Sequence, residues 1–166
     1  WNALIECVSA TADSAMLRDR LEASLAAAME DGLLQDAVIA ANERQAEDFW
    51  LLRDSISAAE RALGPAMQHD ISVPVERMPE FILAASPAIE AAFPGTCAVA
   101  FGHLGDGNVH FHVLAPAGAV RGEWEEAGGK AVSAAVYDLV KQWGGSISAE
   151  HGIGQMKVAE LARLHD

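Results

Sequence analysis

The segment GHLGDGNVHFH at residues 102–112 decides how the centre of this chain folds. Its Asp106-Gly107 pair is a preferred two-residue hairpin turn, because both central residues of such a turn need positive φ. With this pair at the tip, His103 faces His110 across two antiparallel strands. Directly opposed residues have Cβ atoms about 5 Å apart, so the two imidazoles can share one metal ion. A longer glycine-rich loop would change this register.

Alternation along the second strand of the hairpin separates two faces. His110 and His112 fall on one side, whereas Val109, Phe111 and Val113 fall on the other. The apolar side can be buried, and the histidine side is then expected to line a cleft. The alternative is a polar hairpin whose histidines face water, but three histidines around one turn favour the cleft.

A second glycine-framed segment, SAEHGIG, occupies residues 148–154. Adjacent side chains of an extended chain point to opposite sides, so Glu150 can face a metal while His151 faces a substrate proton. A carboxylate beside two imidazoles suits Zn, Mn or Fe. The alternative is a loop that only precedes a helix. The two glycines lack the third glycine of a dinucleotide-binding fingerprint.

Hydrophobic periodicity and the Gly and Pro positions predict the elements around these segments. Helices are expected over about 14–30 (capped by Asp13 or Ser14), 42–63, from Pro79 with a kink or split at Pro87, 122–143 and from 155. Strands are expected over 3–9, 36–40, 69–74, 96–103 and 108–114, with a short one before Glu150. The order of elements predicts an α+β fold with helices packed on one face of the sheet.

The helix at 42–63 places Trp50, Arg53 and Ser57 on one face, because they are three and four residues apart. Arg53 could hold a substrate carboxylate through two parallel hydrogen bonds. The alternative, which composition alone favours, is an ion pair of Arg53 with Asp54 or Glu60 on a solvated face.

The composition excludes some classes of partner. A net charge of −13 with 11 scattered basic residues is unsuited to binding nucleic acid or an anionic membrane surface. No apolar run reaches the ~20 residues that a membrane span needs. Cys7 and Cys97 form no disulfide or metal-binding pattern, so buried reduced thiols and a cytoplasmic location are expected.

Four segments together resemble the C-terminal cap, or substrate, domain of the FAD-linked oxidases of the vanillyl-alcohol-oxidase type. They are Trp50-Leu-Leu-Arg53, Asp70-Ile-Ser-Val-Pro74, His103-Leu-Gly-Asp-Gly-Asn-Val-His110 and Ser148-Ala-Glu-His-Gly-Ile-Gly154. The most similar branch contains the D-2-hydroxy-acid dehydrogenases acting on D-lactate, glycolate and D-2-hydroxyglutarate. The resemblance implies a ferredoxin-like α+β cap domain over residues 1–166. It also implies that a separate N-terminal domain, absent from this chain, holds most of the FAD, so this domain alone is expected to be inactive.

The resemblance also implies roles for particular residues, carried over from the matching motifs. The metal ligands would be His103, His110 and Glu150, the base that takes the hydroxyl proton would be His151, and Arg53 would hold the substrate carboxylate. Further substrate contacts would come from Ser57, Gln68 and His112, and cofactor contacts from Asn108 and Gly152. Relatives that use dicarboxylates tend to carry Lys at the position of Gln68 and Asn at that of His112, so the expectation stops at a D-2-hydroxy acid.

Two other functions fit the same residues. One is a free-standing metal-binding or ligand-sensing domain, and the other is a metal-dependent hydrolase in which Glu150 or His151 activates water. The dehydrogenase is the leading prediction, since it explains all four segments. The electron acceptor stays open among a quinone, a cytochrome, an electron-transfer flavoprotein and oxygen.

Overall fold

A computed structural model describes residues 1–10 and 14–165, and it divides the chain into two compact units, Trp1–Ala58 and Ala59–Asp166. The N-terminal unit contains α1 (Ser14–Glu30) and α2 (Glu43–Asp54), and α3 (Ile56–Leu63) runs across the boundary. The C-terminal unit contains β1 (Ala66–Ser72), α4 (Met78–Ala92), β2 (Cys97–His103), β3 (Asn108–Leu114), α5 (Lys130–Gln142) and α6 (Val158–His165).

The N-terminal unit is helical and contains neither of the two strands predicted for it. Residues 3–9 and 36–40 have no regular structure, and most of them are exposed. An apolar run forms a strand only when another strand pairs with it, and the described residues supply no such partner here. α1 confirms the first predicted helix, although its suggested cap Asp13 lies outside the described residues.

The long predicted helix at 42–63 is divided at Ser55 into α2 and α3. The side chain of Asn42 caps the start of α2 by accepting a hydrogen bond from the backbone N–H of Gln45 at 3.0 Å. At the division, the Ser55 hydroxyl donates to the carbonyl of Leu52 at 2.8 Å. Such local side-chain bonds compete with helical ones, which explains why the periodicity did not reveal the break.

The C-terminal unit is built on a three-stranded antiparallel sheet in the order β1-β3-β2. A single bridge between Ser72 and Ser146 adds a trace of a fourth strand beside β1. The resulting order of elements, with α4 and α5 as the two crossovers, is that of the ferredoxin-like βαββαβ fold. The predicted α+β fold is therefore confirmed, and β1 is an edge strand of the three-stranded sheet.

The core lies between one face of the sheet and the helices α4 and α5. Its largest fully buried apolar side chains are Phe81, Phe111, Ile71, Ile89, Val109, Val113, Val132, Val136 and Val140. Gly129 lets the start of α5 approach β1, since a Cβ at this position would lie 2.5 Å from the Met67 sulfur. A π-helical turn at Glu125–Gly129 precedes α5 where a longer α-helix was predicted.

Pro87 does not split α4, so of the predicted kink or split the split is wrong. Its ring removes the hydrogen-bond donor that the carbonyl of Leu83 would use. Both residues are exposed, so water can hydrate that carbonyl, and the helix continues to Ala92.

Candidate active site

The histidine hairpin forms, but its turn is longer than predicted. His103 pairs with Asn108, and His110 pairs with Phe101 on β2. The expected pairing of His103 with His110 is therefore wrong by two residues. A short 3-10 turn at Leu104–Asp106 occupies the place of a two-residue tip.

Gly107 explains the longer turn. Its φ of 72° lies in the left-handed region, and a Cβ on it would collide with the carbonyl oxygen of Val73. The Val73 amide also donates to the Gly107 carbonyl at 3.0 Å. Contact with a distant segment, rather than local turn preference, therefore sets the register of the hairpin.

His103, His110 and Glu150 nevertheless converge, as predicted. Each offers one ligand atom, and these three atoms lie within 4.8 Å of one another. The Nε2 atoms of His103 and His110 are each 3.5 Å from a different oxygen of Glu150. His103 and His110 are diagonal neighbours on adjacent strands. Long side chains can span the separation between such positions.

The three side chains differ in their access to solvent. His103 and Glu150 are each 44% exposed, whereas the side chain of His110 is 17% exposed. A site anchored on its buried side and open on the other leaves room for a substrate atom beside the protein ligands. Catalytic metal sites share this arrangement, with three protein ligands and one open position.

Asp70 joins this group, although the sequence assigned it only to a strand and to one of the four family-like segments, without a role at the site. Its Oδ1 accepts a hydrogen bond from the Asn108 amide at 2.7 Å, and its Oδ2 accepts one from the His151 backbone N–H at 2.8 Å. The same carboxylate lies 3.8 Å from Nδ1 of His110. The alternation of β1 puts Asp70 on the face opposite to Ile71. Only the pairing of β1 with β3 shows that this face also carries His110.

The environment of Asp70 favours its charged form. Burial opposes ionisation, but the hydrogen bonds from His151 and Asn108, with the nearby His110, outweigh it and hold the pKa of Asp70 below its usual value. A carboxylate behind an imidazole ligand fixes its ring orientation and raises its basicity. Asp70 lies behind His110 in this way, and at 3.8 Å the contact is electrostatic and not a hydrogen bond.

Glu60 and His112 form a buried pair on the side of the sheet that carries His110. Oε2 of Glu60 lies 2.5 Å from Nδ1 of His112, and the two residues are 4% and 6% exposed. His112 does share a face with His110, as predicted, with ring centroids 6.2 Å apart. It is covered rather than open to a cleft, so the predicted cleft reaches only part of this face.

His69 points to the opposite side, into the core. Its Nδ1 lies 2.8 Å from the carbonyl oxygen of Phe111, and its Nε2 lies 2.9 Å from the hydroxyl of Ser133. Burial lowers the pKa of His69 to about 4 despite the bond to Phe111. His69 is therefore a neutral core residue at physiological pH.

Comparison with known families decides the affiliation of the chain. Residues 2–166 match the family described as FAD linked oxidases, C-terminal domain. The chain belongs to this family. The residues that converge around Glu150 are therefore those of an FAD-linked oxidase C-terminal domain, as the four sequence segments suggested.

Several curated relatives are named as dehydrogenases. A probable mitochondrial D-2-hydroxyglutarate dehydrogenase of Oryza sativa subsp. japonica is 34% identical over 149 residues, which cover 90% of this chain and 25% of that protein. The D-2-hydroxyglutarate dehydrogenase of Xanthomonas citri pv. viticola is 36% identical over 133 residues, covering 80% of this chain and 28% of that protein. The mitochondrial enzyme of Arabidopsis thaliana is 35% identical over 146 residues, covering 87% and 24%. The chain thus spans about a quarter of the length of these relatives.

The remaining predicted residues of this FAD-linked oxidase domain lie in four places. Arg53 and Ser57 belong to the N-terminal unit, where Nη1 of Arg53 lies 3.8 Å from Oδ1 of Asp54. The break at Ser55 falls between them, so the helix face predicted to carry both is interrupted. Their roles at the substrate stay predictions.

The other three places are β1, the 148–154 loop and the start of β3. Gln68 is exposed and pairs with His112 in the sheet register. Gly152 and His151 lie on an exposed loop, whereas Asn108 is 2% exposed and bonded to Asp70. The assignment of Asn108 and Gly152 to the cofactor also stays a prediction.

Two further expectations concern the surface of the chain. Cys7 and Cys97 are free, but both are exposed, so the prediction of buried thiols is wrong. In the part of the chain that the structure describes, every helix is too short or too polar to cross a membrane.

Proposed function

We propose that this domain supplies the substrate and metal site of a flavin-dependent dehydrogenase that oxidises a D-2-hydroxy acid to the 2-oxo acid. The convergence of His103, His110 and Glu150 within 4.8 Å carries the proposal. Membership of the FAD-linked oxidase family supports the redox class, and the names of the relatives support a 2-hydroxy acid.

The three side chains fit a divalent metal. Two imidazole nitrogens and a carboxylate oxygen are a donor set used by Zn, Mn and Fe, and Asp70 behind His110 supplies the usual supporting carboxylate. When bound, the metal would supply Lewis-acid polarisation of the substrate hydroxyl. The predicted ligand set therefore remains our proposal for the metal.

The other residues of the chain would bind the substrate and accept its proton. His151 follows Glu150 directly, and its backbone N–H donates a hydrogen bond to Asp70. Its imidazole would take the hydroxyl proton. Arg53 would hold the carboxylate, with Ser57, Gln68 and His112 as further contacts. The substrate loses this proton and a hydride from C2, which leaves the 2-oxo acid.

The flavin would face the exposed loop of this domain. FAD supplies the acceptor for the C2 hydride, and we propose that an FAD-binding domain of the same protein holds most of it. Gly152 has open space where a Cβ would stand, and Oδ1 of Asn108 is buried without a hydrogen-bond partner among the described residues. The first feature fits a neighbour that approaches the backbone closely, and the second fits one that donates a hydrogen bond. A cytoplasmic location also remains a prediction.

The test uses the full-length protein with bound FAD. Under anaerobic conditions, a D-2-hydroxy acid should reduce the flavin of the wild-type protein. The rate of this reduction is measured from the loss of flavin absorbance. His110→Ala removes the most buried ligand, so flavin reduction should fall by about a hundredfold or more, and bound metal measured by elemental analysis should fall with it.

Glu80→Gln is the control, because Glu80 is exposed on α4. This variant should keep both flavin reduction and metal content. Flavin reduction at the wild-type rate in His110→Ala would refute the metal role. Hydrolysis of an ester or amide without flavin reduction would refute the dehydrogenase and support the metal-dependent hydrolase.

A further inference from the structure

The Glu60–His112 pair has an unusual environment for a carboxylate. Glu60 is 4% exposed, and while Oε2 contacts His112, its Oε1 is buried without a hydrogen-bond partner in the described part of the chain. Removing a carboxylate from water costs several kcal/mol unless a partner compensates it. The burial of the Glu60 carboxylate at this cost suggests that it has a functional role.

The pair lies beside the candidate metal site. The ring of Phe101 is in contact with both His110 and His112, with centroids 5.1 Å and 5.3 Å away. His110 in turn lies between the two carboxylates of Asp70 and Glu150. The charge of Glu60 therefore lies beside a site that holds two carboxylates, which the proposed divalent metal would offset.

Cations are sparse on this face of the sheet. None of the other strand positions that share the side of His110 is Lys or Arg; they are Ala66, Gln68, Asp70, Ser72, Cys97, Val99, Phe101, His103, Asn108, His112 and Leu114. Lys157 is close to Asp70, but its ammonium donates to the backbone carbonyls of Ile147 at 2.8 Å and Asp70 at 3.4 Å. This face therefore has little positive charge available for a second substrate carboxylate.

The charge state of His112 does not change this conclusion. If the imidazole is charged, Glu60 neutralises it at 2.5 Å; if it is neutral, Glu60 adds a negative charge. In both states the pair offers no net positive charge to an anion. A site that offers no compensating cation to an anionic group, or adds a like charge beside it, disfavours a ligand that carries this group.

We propose that the substrate of this domain carries an uncharged side chain, and that Glu60 is a specificity-determining residue that rejects a distal carboxylate. The proposal rests on the proposed dehydrogenase function and names its substrate class. It separates this chain from the relatives named for D-2-hydroxyglutarate, a dicarboxylate.

Two substrates that differ only in charge test the proposal. They are D-2-hydroxyglutarate and its 5-amide, given to the full-length protein with bound FAD. We expect kcat/KM to be at least about tenfold higher for the amide. In Glu60→Gln, which keeps the size of the side chain, this ratio should shrink by about tenfold, mainly through a lower KM for the dicarboxylate.

A second variant covers the possibility that Glu60→Gln does not fold. Gln68 is exposed and lies across from His112, so Gln68→Lys adds a cation to the face without disturbing the core. Gln68→Lys should also raise kcat/KM for the dicarboxylate relative to that for the amide. The proposal is overturned if the wild-type kcat/KM for the dicarboxylate equals that for the amide. It is also overturned if the folded variants change kcat/KM for both substrates by the same factor.

A binding measurement separates this proposal from the proposed function. The shift in Tm produced by 2-oxoglutarate and by its 5-amide reports the same charge preference without any turnover. Stronger stabilisation by the amide without oxidation of either hydroxy acid would refute the dehydrogenase but retain the selectivity. Equal or stronger stabilisation by 2-oxoglutarate would refute the selectivity, whatever the activity.

Discussion

At the scale of single residues, Asp70 has the widest influence on the candidate site. Its carboxylate accepts hydrogen bonds from Asn108 on β3 and from the backbone of His151, and it lies next to Nδ1 of His110. It therefore connects a candidate metal ligand, the turn of the hairpin and the loop that carries Glu150. Its bond to His151 holds that loop together with the hydrogen bonds that Ser146 and Ser148 make within it.

Asp70→Asn should loosen the loop and weaken metal binding. The substituted amide keeps the size of the side chain, but it can accept only one of the two hydrogen bonds. Loss of such a supporting group typically reduces metal affinity by about 10–100-fold. Calorimetric titration with Zn²⁺ checks the affinity, and hydrogen exchange should show faster exchange at the His151 amide.

Asp138→Asn is the matched control, because Asp138 is exposed and pairs with Arg163 at 2.6 Å. It should leave both quantities unchanged. Wild-type metal affinity together with wild-type exchange in Asp70→Asn would show that Asp70 does not position the loop.

At the scale of elements, the turn between β2 and β3 determines which side chains meet. Gly107 has φ of 72°, and a Cβ would collide with the carbonyl of Val73. Gly107→Ala should therefore lower the free energy of unfolding by about 1–3 kcal/mol. Gly105→Ala is the control, since a Cβ there meets nothing within 4 Å. Urea unfolding of the two variants should differ clearly, and equal midpoints would refute the steric role of Gly107.

The same turn shows what the sequence could and could not predict. The alternation that puts His110 on one face and Phe111 on the other is local, and the structure confirms it. The register depends on contact between Gly107 and Val73, far apart in sequence. The bond between Glu60 and His112 spans 52 residues, so no motif or spacing could indicate it.

At the scale of the whole molecule, the buried His69 should couple stability to pH. The pKa of His69 is about 4 in the folded state against 6.5 for a free histidine. The unfolded chain therefore takes up the proton first, so the stabilisation is complete above pH 6.5 and is lost as pH falls towards 4. The expected loss is about 3 kcal/mol. The lowered pKa of Asp70 acts in the same direction.

Comparison of wild type with His69→Asn isolates this contribution. The substituted amide can still donate to the carbonyl of Phe111, but it does not titrate. Its free energy of unfolding in urea should be lower than that of wild type near pH 7, because the bond to Ser133 and part of the packing are lost. Its decline towards acid pH should be shallower, since only Asp70 and the other carboxyl groups still contribute. Parallel pH profiles for the two proteins would mean that His69 is not the group through which acid destabilises the core.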